Sequence, residues 1–107
     1  MPIIRLPHPK ADSVIQDYLD HRLPIAFEFT VPSDTISTIN MFKHIREAGA
    51  GVWVNSLWKH HCAGHDDRKA ALDSTTYDWF VERNIDMIQT DRPALLISYL
   101  QAKDLHP

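Results

Sequence analysis

Short apolar runs alternate with amphipathic segments along the whole chain. The first run, "PIIRL" at 2–6, reads as a strand. Over 8–22, Val14, Ile15, Tyr18 and Leu19 recur at helical spacing, with Asp12 or Ser13 as the candidate N-cap. "IAFEFTV" at 25–31 is β-branched and aromatic, and reads as a second strand. A second helix follows Ser33 or Asp34, carries Ile36, Ile39, Phe42 and Ile45 on one face, and closes at Gly49. "GVWVNSL" at 51–57 is a third strand, and 58–73 is a polar loop. Asp73 is placed to cap the helix "STTYDWFVER", which Asn84 ends in the left-handed conformation. "IDMIQT" at 85–90 reads as a buried fourth strand, and Pro93 suits the first turn of a last helix.

The order is a βα unit repeated four times. Near-continuous apolar strands separated by helices predict a parallel sheet with crossover helices. In such sheets ligands meet the C-terminal ends of the strands. Asp91 lies at one of these ends and is read first as an N-cap accepting from backbone N–H groups. Four strands are half of what a (β/α)8 barrel needs. A half-barrel has two unpaired edges and an uncovered inner face, so this reading requires a partner.

The totals narrow the classes. The 107 residues suit one domain, taken as 1–107. A net charge of -3 speaks against a general nucleic-acid binder, because no basic excess is available to displace counterions. No apolar stretch nears the roughly 18 residues of a membrane span. The start, "MPIIRLPHPK", has no signal-peptide pattern.

Three places carry candidate chemistry. The stretch 58–69 gathers His60, His61, Cys62, His65, Asp66 and Asp67, all ligand types for Zn²⁺, at a spacing that matches no usual signature. One reading is a small metal-binding module on His60, His61, Cys62 and His65. The other is a polar loop above a strand end, with one histidine facing a ligand. Glu28 shares a strand face with Ala26 and Thr30, opposite Phe27 and Phe29. Its carboxylate either meets a ligand there or pairs with a nearby Arg or Lys. Asn55 and Trp58, near the end of the third strand, suit a pocket for a small polyol or phosphate ester, although Trp53 and Trp58 also suit simple packing.

"GVWVNSLW", the polar loop after it and "YDWFVERNIDMIQTDRPALLISYLQAKDL" together resemble the C-terminal end of the glycerophosphodiester phosphodiesterase family. That family closes with a strand bearing Trp and a polar residue, a helix, and a strand ending in Thr-Asp-x-Pro, here Thr90-Asp91-Arg92-Pro93. The resemblance implies a (β/α)8 barrel with these strands as its last four. It also implies Ca²⁺- or Mg²⁺-dependent hydrolysis of a small phosphodiester to glycerol 3-phosphate and an alcohol. The family's His-Arg-Gly and Glu-x-Asp motifs are missing; His21-Arg22 is followed by Leu23. On this reading the chain is a C-terminal half beginning at an internal methionine. It is expected to be inactive alone, with no catalytic residue and no metal ligand of its own, and to supply a pocket wall of Glu28, Asn55, Trp58 and His61. Its partner would be the missing N-terminal half or a second copy of itself. The alternative is a self-associating half-barrel with a structural or ligand-binding role.

Overall fold

The computed structural model describes residues 1–105. Strand β1 (Ile3–Arg5) leads to α1 (Ala11–His21), then β2 (Ala26–Thr30) to α2 (Phe42–Glu47), entered through a 3-10 turn at Ser37–Met41. After β3 (Gly51–Asn55) come a 3-10 turn at Lys59–His61, α3 (Asp67–Leu72), another 3-10 turn at Ser74–Tyr77 and α4 (Asp78–Glu82). The chain continues through β4 (Met87–Gln89) into α5 (Pro93–Ala102). The four strands form one all-parallel sheet in the order β1-β2-β3-β4.

That order decides which face is covered. Crossovers between parallel strands are right-handed, so strands laid down in sequence put every connecting helix on the same side. Burial follows suit. Phe27, Phe29, Val52 and Val54 point to the helical side and are fully buried, with Ile15, Phe42, Ile45 and Phe80 packed over them. On the opposite face Arg5, Met87 and Gln89 are exposed, Ile3 is 54% exposed, and Glu28, Thr30 and Trp53 are half-buried. The smallest molecular extent is 19 Å, room for one sheet and one helical layer.

Several helix ends are built as the sequence suggests. Gly49 and Asn84 adopt positive φ, at 99° and 61°, and Pro93 opens α5. Asp73 caps the Ser74–Tyr77 turn by accepting from Thr75 N–H at 3.0 Å. Two other candidate carboxylates are taken by distant partners instead, while the Ser13 and Ser33 hydroxyls bond within three residues of themselves. Asp12 accepts from Thr38 Oγ at 2.9 Å, and Asp34 accepts from Trp79 Nε1 at 2.7 Å, so neither caps a helix. Part of the supposed loop 58–73 is helix α3, capped by Asp66, which accepts from Lys69 N–H at 3.0 Å. Strand β4 is an exposed edge rather than a buried strand, because among the described residues β3 is its one neighbour in the sheet.

Phe29 packs against Phe27 and Phe42 at centroid distances of 6.2 and 4.7 Å. Phe29→Ala should lower unfolding free energy by about 3–5 kcal/mol. Thr30→Ala, next along the strand and on the bare face, should cost under about 1 kcal/mol. Urea titrations of both variants measure the contrast, and equal losses would mean that the two faces are equally covered.

Candidate functional site

The C-terminal ends of the strands meet at a polar rim, which the loop after β3 shapes. After Trp58 the chain turns back and lies beside the end of β2. Val31 N–H donates to His61 O at 2.9 Å, and Ala63 N–H donates to Val31 O at 2.6 Å. The His61 ring thereby comes to Asn55, with Nδ1 3.2 Å from the amide Nδ2. The Asn55 carbonyl oxygen accepts from Leu57 N–H at 3.2 Å, which fixes the amide with its N–H₂ toward the ring. His61 Nδ1 is therefore the acceptor.

Burial, the neighbouring His60 ring and the Arg5 guanidinium all hold the His61 imidazole below its ordinary pKa of 6.5, and the Glu28 carboxylate opposes them. Arg5, Glu28, Asn55 and His61 thus share one electrostatic neighbourhood on the bare face. Among the described residues the Glu28 side chain makes no hydrogen bond and no ion pair within 4 Å. Arg5 has no ion-pair partner there either. The structural ion pair considered for Glu28 does not form. A half-buried carboxylate at the centre of a sheet face is left with acceptor capacity unused. The indole Nε1 of Trp53, on the same face, is buried without a hydrogen-bond partner.

Three of the four residues singled out from the sequence, Glu28, Asn55 and His61, therefore lie together. Trp58 is 60% exposed and lines a separate cleft of about 680 Å³ with Lys59, His60, Arg68 and Lys69.

The histidine-cysteine loop is dispersed. Cys62 is fully buried and donates its S–H to Trp58 O at 3.3 Å, while burial and then the Asp66 carboxylate push its thiol up to about 12. His65 stacks on Trp79 at 5.0 Å, and its Nδ1 is 3.1 Å from Cys62 O. No group of three or more His, Cys, Asp or Glu side chains among the described residues is placed to hold one ion. The metal-module reading has no ligand set to stand on.

Asp67 has a role the sequence did not reveal. Its Oδ1 accepts from Ser56 Oγ, Tyr77 OH and Thr90 Oγ1, each at 2.7 Å, and its Oδ2 accepts from Asp91 N–H at 2.8 Å. Its own N–H donates to Ser56 O at 2.7 Å. One buried carboxylate thus ties the exits of β3 and β4 to the start of α3. Asp91 contributes its backbone rather than a capping side chain, and Thr90 Oγ1 accepts from Arg92 N–H at 2.9 Å. The one sequence signal is Asp67 standing as the last member of a cluster of loop carboxylates and histidines.

A family model described as DUF4996, a domain of unknown function, matches residues 1–100. The chain belongs to the DUF4996 family. No curated protein matches it. The resemblance to glycerophosphodiester phosphodiesterases is therefore corrected: the DUF4996 match covers nearly the whole chain, and no phosphodiesterase family matches. The Ca²⁺ or Mg²⁺ inferred through that resemblance loses its basis with it. The Thr-Asp-x-Pro ending is explained within this DUF4996 chain by what Thr90, Asp91 and Pro93 do locally.

Asp67→Ala strands the buried Tyr77 hydroxyl and the Asp91 N–H and leaves Ser56 Oγ only Gln89 O, and should cost at least about 3 kcal/mol by urea denaturation. Tyr77→Phe removes one donor and should cost about 0.5–1.5 kcal/mol. Similar losses for the two variants would deny the clamp its central place.

The depressed His61 pKa sets the sign of a pH effect. Between the folded value and 6.5 the unfolded chain binds more protons, so stability falls as pH drops through that window. His61→Gln should flatten the fall. An unchanged slope would remove His61 as its source.

Proposed function

We propose that the chain is a half-barrel unit whose strand-end rim holds a small polyol or phosphate ester. The unpaired Glu28 carboxylate, electrostatically coupled to His61 and one layer below Arg5 and Asn55 on a bare sheet face, carries this reading. A polyol needs both acceptors and donors, and the rim offers both. Glu28 accepts from ligand hydroxyls, and the Arg5 guanidinium donates to an anionic oxygen. Neutral His61 presents its Nε2–H as a donor while Nδ1 is held by Asn55. The half-barrel part of the reading is supported by the sequential strand order, the helices on one side only and the uncovered face.

Such a site leaves a mark on stability. A half-buried carboxylate without a partner costs free energy in the ligand-free fold, and removing its charge relieves that cost. Glu28→Gln should therefore leave stability unchanged or raise it by up to about 1 kcal/mol. The same change should weaken binding of glycerol 3-phosphate by about tenfold, equivalent to about 1.4 kcal/mol.

NMR titration of the His61 ring and the Asn55 side-chain amide checks both parts. Glycerol 3-phosphate should shift these signals at lower concentration than glycerol or inorganic phosphate alone. Unmoved signals at millimolar ligand, or a Glu28→Gln chain less stable than the parent, would sink the binding reading.

A further inference from the structure

We propose that the bare face is closed by a second copy of this chain. In that dimer β4 of each copy pairs in parallel with β1 of the other, so that two four-stranded sheets form one closed ring. The proposal rests on the half-barrel reading and names the partner that reading leaves open.

Both sheet edges are unpaired and shaped for continuation. On β1, Glu28 N–H donates to Pro2 O and Leu6 N–H donates to Thr30 O, so alternate residues serve β2. The backbone groups of Ile3 and Arg5 between them face the open edge. Beside this edge Ile3, Ile4, Ala11 and Val14 line a groove of about 230 Å³. Ile3 and Val14 are exposed. At the opposite edge a larger groove, about 490 Å³, lies where a helix after the next strand would pack. Its apolar wall is Ile88, Leu96, Ile97 and Leu100. A twofold axis brings each groove against the other copy's opposite edge, so both are filled at once. Each copy then contributes two contacts, which share the ~800 Å² per partner that an ordinary stable interface needs.

Charge chooses the same pairing. Arg5 ends β1 at the rim and has no ion-pair partner among the described residues. Asp91 follows β4 at the rim of the other edge and is exposed. Closing the ring brings Arg5 of one copy toward Asp91 of the other, twice per dimer. An unrelated partner half would need to match two edges of different shape and charge, whereas a second copy carries both complements already. Closure also covers Ile3 and Met87, which are exposed on the layer of the face that holds Glu28 and Trp53, with Met87 across Gly51.

Sedimentation equilibrium of the full chain gives the test, with folding of each variant checked by circular dichroism. The parent should sediment at twice the mass of one chain at micromolar concentration. R5D and D91R should each weaken the dimer at least about tenfold, because each places like charges together at both contacts. An equimolar mixture of the two should dimerise again, since one contact restores Arg5 with Asp91 and the other pairs the two swapped charges. A parent that stays monomeric at hundreds of micromolar overturns the proposal. So do swapped variants that remain dimeric, or a mixture that stays monomeric. Should a swap unfold the chain, Ile97→Asp in the β4-side groove replaces it and should give a monomer. A monomeric parent whose His61 signals still move with glycerol 3-phosphate would retire the dimer and keep the rim. A dimer with unmoved signals would do the reverse.

Discussion

The Asp67 carboxylate holds the sheet's last two strands in place. Strand β4 is three residues long and, among the described residues, has a neighbour on one side only, so its ladder alone secures it weakly. What it lacks in backbone pairing is supplied at its exit, where Thr90 Oγ1 and Asp91 N–H both donate to Asp67. Ser56 and Tyr77 complete the set from β3's exit and from the turn before α4. Hydrogen bonds to a charged group contribute about 1.5–3 kcal/mol each, and four donors can offset the desolvation of one buried carboxylate. The burial that makes the cluster stable also removes the Tyr77 phenol from titration, with its pKa pushed well above the ordinary value, by burial first and the Asp67 contact second. A single charge thus replaces the strand neighbour that β4 does not have within this chain.

The rim follows from that anchoring. With the exits of β3 and β4 fixed together, the loop after β3 folds back toward β2, where Val31 takes it up. This return carries His61 over the bare face and beside Asn55. Helices on one side only leave Glu28 facing no partner. Structural ion pairs exist elsewhere, as with Arg46 and Asp86 at 2.8 Å near the foot of β4. The Arg46–Asp86 pair thus braces the foot of β4, while the Glu28 carboxylate in mid-sheet has no ion-pair partner among the described residues. That contrast within one sheet favours a ligand role for Glu28 over a merely tolerated charge.

What the sequence discloses is what depends on neighbours in the chain. The alternation in "AFEFT" separates Phe27 and Phe29 from Glu28 because side chains on a strand point alternately to opposite faces. Gly49, Asn84 and Pro93 act through their own backbone preferences, and each stands where those preferences place it. Asp34 shows the limit. Cap preference is local, yet Trp79, 45 residues away, offers an indole N–H at the same carboxylate. Asp67 was hidden for the same reason, since its donors come from Ser56, Tyr77, Thr90 and Asp91, which only the fold brings together. Trp58 was grouped with Asn55 by nearness in sequence, but the turn between them sends it to a different cleft.

The Thr-Asp-Arg-Pro ending shows why a short motif misled on ancestry. A strand that exits into a helix needs an acceptor for the first free N–H groups, a residue able to leave the extended conformation, and a first helical residue that can spare its own N–H. Thr90 Oγ1 accepts from Arg92 N–H, Asp91 turns its backbone toward Asp67, and Pro93 opens α5. Every one of these demands is local to the junction. Chains with no common family meet them with the same few residue types, so three matching letters report a strand-to-helix turn before they report descent. Agreement over residues 1–100 constrains packing that no single turn can dictate, and it is that breadth which places the chain in its family.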